Sequence, residues 1–271
     1  MKNSKLNRLQ QVLSSLAQNK HLSIAFSGGV DSRFLAFSCR YFGIEPELLH
    51  VSGCHIATHE TKEALEWAHR HNFKIIDLSV DPLNVDLVVA GDKRRCYGCK
   101  KALFTRLLEI ASYPLCDGTN HSDLGCYRPG LVALKELNIH SPLAQANLTK
   151  PEIRTLAREI GMDRWDQKSR PCLLTRYPYG RSPKREELLA LSQAEEAIGE
   201  YLDRTLFHAS EFRIRLVSES KPQLHLLKAD EQHLTDENKK EIQALFSQIA
   251  PFIGDLTIVG LDKLSGFFDT H

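Results

Sequence analysis

No stretch of this chain approaches the roughly 20 consecutive apolar residues that a helix needs to cross a bilayer, so no membrane role is expected. Neither sign of charge prevails: 35 Lys and Arg stand against 34 Asp and Glu, a formal net charge of +1. The chain therefore lacks the broad positive excess that announces a nucleic-acid binder. Internal repeats and low-complexity segments are also absent, which sets aside solenoids and tails. Seven cysteines make an odd count, and their spacing does not read as paired staples. The amino-terminal segment carries Leu6, Leu9, Leu13 and Leu16 at helical intervals and reads as an amphipathic helix rather than a signal peptide. With 271 residues, 42% of them hydrophobic and 25% charged, what remains is an ordinary soluble globular protein of one large or two modest domains. The cytoplasm is its expected compartment, and there a close Cys pair more often serves metal or redox chemistry than a disulfide.

What is present centres on residues 27–32. Leu22-Ser23-Ile24-Ala25-Phe26 is a short apolar run of strand character, and Arg33-Phe34-Leu35-Ala36-Phe37 opens a buried helix. Between them lies Ser27-Gly28-Gly29-Val30-Asp31-Ser32. Glycines let the backbone approach an anion, and the N–H groups of a first helical turn point at it. No Gly-Lys-Ser/Thr follows, so this is not a Walker loop, and the G-x-G-x-x-G spacing of dinucleotide binders is missing. The six residues resemble the PP-loop of the N-type ATP pyrophosphatases, which cleave ATP to AMP and pyrophosphate while activating a substrate oxygen. That resemblance implies that the backbone of Ser27, Gly28, Gly29, Val30, Asp31 and Ser32 holds the leaving pyrophosphate, and that Asp31 helps place magnesium. The plainer alternative is a Gly-Gly turn capped by Asp31 at a helix start.

Further along, strands are expected at 47–52, 74–78 and 113–116, with helices at 58–71 and up to residue 111 between them. Alternating strands and helices predict an α/β fold with a doubly wound parallel sheet, whose ligands lie at the carboxyl ends of the strands. The strand at 113–116 would deliver Asp117-Gly118-Thr119-Asn120 to the same edge as the 27–32 loop. Helices follow at 131–137 and 150–160, the second with Thr149 as cap, Pro151 in its first turn and Gly161 closing it. Residues 169–182 are polar, proline-rich and basic, either a linker or a functional loop. A long helix to residue 206, strands at 212–217 and 223–227, a helix at 235–249 and a strand at 256–259 predict a smaller C-terminal α+β domain, ferredoxin-like or related. The expected division is 1–182 for the ATP-handling domain and 183–271 for a substrate-binding or oligomerisation domain.

Cys96-x-x-Cys99 could be a redox pair, half of a zinc site or part of an iron–sulfur site. No second C-x-x-C or H-x-x-x-H completes four zinc ligands, and Cys172, in the polar loop, is the natural third thiol. Three cysteines without an obvious fourth suit a [4Fe-4S] cluster with one open iron that could carry a substrate or a sulfide. Cys39, Cys54, Cys116 and Cys126 look different, and Cys116 in an apolar strand reads as a small core residue. Lys93, Arg94, Arg95, Lys100 and Lys101 flank the pair, while Arg170, Arg176 and Arg181 flank Cys172; such neighbours favour a thiolate and can hold phosphates. Lys100, Lys101 and Arg106 are better explained as a solvated helix face. Arg213 and Arg215 project from one face of a strand and, with Arg176, are candidates for binding an anionic substrate, though an exposed strand face would explain the pair as well.

Across almost its entire length the chain resembles the ATP-dependent sacrificial sulfur transferases of the LarE family. The residues that carry this are the 27–32 loop, Arg95-Cys96-Tyr97-Gly98-Cys99-Lys100-Lys101-Ala102-Leu103-Phe104, Asp117-Gly118-Thr119-Asn120, Tyr127-Arg128-Pro129-Gly130, Pro142-Leu143, Lys150-Pro151-Glu152-Ile153-Arg154 and Pro171-Cys172-Leu173-Leu174-Thr175-Arg176-Tyr177-Pro178-Tyr179-Gly180. In that family ATP adenylates a carboxylate of a pyridinium dicarboxylate mononucleotide. Sulfur then displaces AMP to leave a thiocarboxylate, a precursor of a nickel-pincer nucleotide. The resemblance implies ATP and Mg2+ as cofactors, with Asp117, Gly118 and Arg128 beside the PP-loop at the nucleotide. It matches Arg213 and Arg215 to a pair that holds substrate phosphate. It also places Cys172 where some members surrender their own sulfur and become dehydroalanine. Other members hold a [4Fe-4S] cluster through three cysteines, matching Cys96, Cys99 and Cys172, and this chain has all three.

Two departures bear on which molecule accepts the sulfur. Where the family's second C-terminal strand commonly carries Arg-x-Glu, this chain has Gln223-Leu224-His225-Leu226, and the acidic position beyond it is His233 or has shifted to Asp230. Cys126 stands where an acidic residue is usual. The expected partners are a small nucleotide-like substrate and a sulfide donor, with neither membrane nor nucleic acid; related enzymes often assemble, and the α+β module could supply a homo-oligomeric contact. Rival readings are tRNA thiolation or another thionucleotide-processing activity, amidation by ammonia, and a non-catalytic sensor binding ATP and a cluster.

Overall fold

Leu22, Ser23 and Ile24 are all buried in β1 (His21–Ala25), as a strand covered on both faces requires. Residues 46–50 of β2 (Glu45–Ser52) are likewise buried. These strands lie with β3 (Lys74–Ser79) and β4 (Leu115–Cys116) in the order β3-β2-β1-β4, every neighbouring pair parallel and Ile24 facing both Leu48 and Cys116. Parallel neighbours need crossover connections. The helices Val30–Tyr41, Thr58–Arg70 and Arg95–Ile110 provide them, and a four-stranded parallel sheet with flanking helices is an α/β architecture. Leu9 and Leu13 of the first helix, Phe34 and Leu35, Leu48 and Trp67 have no exposed surface and pack into one core; truncating any of these leucines to Ala should cost about 2–5 kcal/mol.

A carboxylate interrupts the apolar run of β2. Glu47 is buried, and its oxygens accept from Ser23 Oγ at 2.9 Å, Ser112 N at 3.1 Å and Ser112 Oγ at 3.0 Å while pairing with Lys74 Nζ at 2.7 Å. Ser23 Oγ in turn accepts from Tyr113 N at 3.2 Å. Glu47 thus stitches β1, β3 and the approach to β4 to the strand that carries it, and full satisfaction is what makes its burial tolerable.

The computed structural model describes residues 2–125, 129–207, 211–218, 221–264 and 266–269. The parallel sheet belongs to a unit of residues 1–53, 60–85 and 94–170, and a second unit comprises residues 54–59, 86–93 and 171–271. In the second unit β5 (Phe212–Leu216), β6 (Pro222–Leu227) and β7 (Thr257–Leu261) form a sheet in that order, β5 antiparallel and β7 parallel to β6. The parallel β6/β7 pair distinguishes it from a ferredoxin-like sheet, whose neighbours are all antiparallel. The helices Arg185–Leu206 and Asp236–Ile249 contribute buried Leu188, Leu191, Ile198, Leu202, Ile242 and Phe246. The two short segments belong here through backbone bonds, Leu173 N to His55 O and Gly180 N to Gly91 O, both 2.9 Å. Gly91 has φ +61°, and a Cβ there would lie 2.5 Å from Arg181 O. Among the described residues no helix is long and apolar enough to cross a membrane.

Candidate active site

The end of β1 is fixed before the chain turns. Phe26 N donates to Leu49 O at 2.8 Å, and Phe26 O accepts from His50 Nδ1 at 2.8 Å, so the loop that follows rises from a braced strand. Gly28 has φ +73°, and a Cβ there would stand 2.5 Å from Ala64 Cβ; both the dihedral and the space demand glycine. Gly29 is extended and caps the helix Val30–Tyr41. Its carbonyl accepts from Arg33 N at 3.0 Å and from Ser32 Oγ at 3.1 Å. Ser27 Oγ, 3.3 Å from Ser32 Oγ, accepts from Gly29 N at 3.4 Å. The N–H groups of the first turn have no intrahelical partner, as at any helix start, so the loop has the form of an anion cradle.

Asp31 stands in that first turn. Burial pushes its carboxyl above the usual carboxylate range; Lys150 opposes this, Asp123 adds to it, and Asn120 and Arg154 oppose it. Lys150 Nζ lies 3.9 Å from Oδ2, while Oδ1 is buried without a hydrogen-bond partner. An orphaned buried carboxylate oxygen is unfavourable, and a hard divalent cation is a group that would satisfy it. The helix Lys150–Glu159 sets the position of Lys150, and a capping box fixes its start, with Thr149 N and Oγ1 donating to Glu152 Oε2 at 2.9 and 2.7 Å. Asn120 beside the site is fully buried, and its side-chain hydrogen bond favours the ionised form of Asp31.

Because β4 runs parallel to β1 as its neighbour, Asp117 and Gly118 emerge at the edge where the glycine loop lies. A Cβ on Gly118 would sit 3.1 Å from Ser32 N and 3.4 Å from Asp31 Cβ, so this glycine is what lets the two loops meet. The Asp117 carboxylate is already engaged, accepting from Thr119 Oγ1 and, at 2.6 Å, from Ser141 Oγ. Its observed role is to brace the loop around Gly118. Cys126, Tyr127 and Arg128 lie outside the described residues.

The cysteines divide as their surroundings dictate. Cys96 and Cys99 begin the helix Arg95–Ile110, Cys96 exposed and Cys99 buried, and a spacing of three puts both on one helix face. Cys172, half-buried, belongs to the second unit and precedes the turn Leu173–Arg176. Cys39 and Cys116 are fully buried; burial pushes the Cys116 thiol up to about 12, with Asp117 adding to it, and pushes Cys39 well above the thiol range, as suits inert core thiols. Among the described residues no three His, Cys, Asp or Glu side chains are gathered to hold a metal ion.

The three candidate arginines all belong to the second unit. Arg176 grips Glu195 with both ends of its fork, Nε to Oε1 at 2.7 Å and Nη2 to Oε2 at 2.8 Å, and Oε1 also accepts from Ile214 N at 2.8 Å. Arg213 and Arg215 alternate with Ile214 along β5 as the sequence predicts. Arg215 is buried rather than on an open strand face: Nη1 meets His225 Nδ1 at 2.6 Å, Nη2 donates to Leu264 O, and the guanidinium lies 5.0 Å from the Phe267 ring centroid. Burial lowers its pKa to about 10, and Arg176 and Arg213 press it down further.

No protein-family model matches the chain. It is 31% identical over 202 residues to the uncharacterized protein MJ0830 of Methanocaldococcus jannaschii, covering 73% of this chain and 77% of that one. It is also 31% identical over 201 residues to the uncharacterized protein slr1717 of Synechocystis, covering 72% and 74%. Over 214 residues it is 28% identical to the pyridinium-3,5-bisthiocarboxylic acid mononucleotide synthase of Lactiplantibacillus plantarum, covering 76% and 78%. The chain belongs to the LarE-like family.

In this LarE-like chain the sequence points to the glycine loop and Asp31 but does not single out two residues that stand beside them. Lys150 and Asn120 sit in motifs visible in the sequence, and a lysine opening a capped helix was the available signal for the first. His225 stands out in the sequence only as a departure from Arg-x-Glu, yet its side chain engages Arg215.

Proposed function

We propose that the protein is a cytoplasmic ATP-dependent sulfur transferase that adenylates a carboxylate of a pyridinium dicarboxylate mononucleotide, or a close nucleotide-like acid, and replaces the activated oxygen by sulfur. The observation that carries this is the cradle of residues 27–32 with the orphaned Oδ1 of Asp31 beside it, in a chain similar to a pyridinium-3,5-bisthiocarboxylic acid mononucleotide synthase. A carboxylate oxygen attacks the α-phosphorus of ATP and pyrophosphate leaves into the cradle. Hydrosulfide then attacks the acyl carbon, and AMP departs with the former carboxylate oxygen, leaving a thiocarboxylate. Activation is required because oxide and hydroxide are poor leaving groups, whereas AMP leaves readily.

In this reading the first-turn N–H groups hold the phosphates, and Gly118 lets its loop close on Ser32. Lys150 favours the ionised form of Asp31 against its burial. Asp31 would ligate magnesium, which supplies positive charge against the phosphates. Arg176, Arg213 and Arg215 would hold the acceptor's anionic group, bidentate forks being suited to phosphate. Cys96, Cys99 and Cys172 would hold a [4Fe-4S] cluster; thiolate sulfur is the donor set for iron, and the iron left without a cysteine supplies a place for sulfide.

The test is anoxic purification and assay with ATP, sulfide and the dicarboxylate mononucleotide. The protein should be brown, carry roughly four irons, release AMP and pyrophosphate only when the acceptor is present, and yield a product in which sulfur replaces oxygen by mass. A colourless protein with tightly bound zinc would sink the cluster, and pyrophosphate release indifferent to the acceptor would sink the transfer.

A further inference from the structure

His225 has no exposed surface, and the bonds to its two ring nitrogens fix its tautomer. Arg215 can only donate, so Nδ1, at 2.6 Å from Nη1, must be the acceptor. The ring proton then resides on Nε2, which donates to Gln223 Oε1 at 2.8 Å. An imidazolium could not accept at Nδ1, so the arrangement exists only with a neutral ring. Phe267 closes the site, its ring 4.5 Å from that of His225 in an edge-on arrangement and beneath the Arg215 guanidinium. Burial, followed by the Arg215 charge, lowers the His225 pKa to about 4, so the ring is neutral throughout the physiological range.

The chemistry of that partner matters because of what it withholds. Among the described residues no carboxylate pairs with Arg215; the nearby Glu195 is gripped at both oxygens by Arg176. A carboxylate at position 225 would hold the guanidinium as firmly but would cancel its charge. A neutral acceptor holds it and leaves the charge for a ligand.

We propose that His225 is a positioning residue, which holds Arg215 through a neutral Nδ1 acceptor so that the guanidinium stays oriented and positively charged for an anionic group of the substrate. The inference rests on the reading of the arginine group as the acceptor's anion holder. It assigns specificity as well as position, because an uncancelled guanidinium favours the more highly charged of two otherwise similar acceptors.

The experiment compares wild type with the His225→Gln, His225→Glu and His225→Ala variants. Binding of pyridinium-3,5-dicarboxylic acid mononucleotide is followed by calorimetry without ATP, beside ATP binding and thermal unfolding as controls. Glutamine offers a neutral acceptor and should bind within about threefold of wild type, while glutamate should weaken binding roughly tenfold or more. Alanine should fall with glutamate, and in turnover the loss should appear in KM rather than kcat. Equal binding by His225→Glu and wild type would overturn the proposal. So would equal loss in the Gln and Glu variants with unchanged unfolding, or absence of binding by wild type. Wild type that binds the mononucleotide but releases no AMP with ATP and sulfide would instead sink the sulfur-transfer reading, with the His225 outcome still legible in the binding data.

Discussion

Lys150 Nζ lies 3.9 Å from Oδ2 of Asp31, so the first turns of two helices from distant parts of the chain meet as a cation and an anion beside the glycine loop. Burial raises the Asp31 pKa, and Lys150 is the foremost of the neighbours that hold it down. Lys150→Ala should therefore let the pKa rise further, so that the carboxylate forms only at higher pH. The acid limb of pyrophosphate release should move to higher pH in that variant and stay near its wild-type place in Lys150→Arg. A pH profile unmoved by Lys150→Ala would contradict the electrostatic link. Asp31→Asn should lower turnover by about 10²-fold or more at every pH.

Gly28 has no tolerance for a side chain, because its φ of +73° and the 2.5 Å approach of Ala64 Cβ act together. Gly28→Ala should destabilise the protein by about 1–3 kcal/mol and weaken ATP binding. Adding Ala64→Gly removes the 2.5 Å contact but leaves Ala64 Cα at 3.2 Å and the dihedral strain, so the double variant should recover only part of the stability. Chemical unfolding of the single and double variants checks this, and full recovery would show that φ is not limiting.

Glu47 predicts an acid sensitivity of the fold. Burial alone would raise its pKa from 4.5, but the bonds from Lys74, Ser112 and Ser23 outweigh it and the net shift is downward. A carboxyl whose folded pKa lies below its unfolded one adds stability that is present above the unfolded value and is lost as pH falls through the folded value. Wild-type melting temperature should accordingly decline below pH 4.5, and Glu47→Gln should lower it at neutral pH while flattening that decline. A decline equally steep in the variant would assign the acid lability to other carboxyls.

Cys172 predicts a separation of the two half-reactions. Cys172→Ala should abolish sulfur transfer and the brown colour after anoxic reconstitution while leaving acceptor-dependent ATP–pyrophosphate exchange intact. Retained transfer would remove Cys172 from the chemistry.

The contrast between Asp31 and Lys150 shows what the sequence made legible. The loop at 27–32 is a local signal, a buried strand, two glycines and a helix start within a dozen residues, and the structure bears the same elements in the same order. β1, β2 and β4 are legible for the same reason, as buried runs need no partner to be recognised. Lys150 meets Asp31 only because two helices far apart in the chain bring their first turns together, and no spacing along the chain encodes that. Glu47 looks like an ordinary strand residue in the sequence, because the groups that make its burial tolerable come from β1, β3 and the segment before β4. The engagement of Arg215 by His225 is likewise diagonal across a strand pair whose register pairs Arg213 with His225, a detail beyond the reach of alternation alone.

Attack by a carboxylate oxygen of the acceptor on the α-phosphorus of ATP is the step on which the proposed reaction turns. Its most direct test is a reaction of the holoenzyme with ATP, sulfide and acceptor labelled with oxygen-18 in its carboxylates. The expected result is one labelled oxygen in each AMP released, unlabelled pyrophosphate, and one label retained in each thiocarboxylate group formed. Unlabelled AMP, or ADP and phosphate in its place, would contradict it.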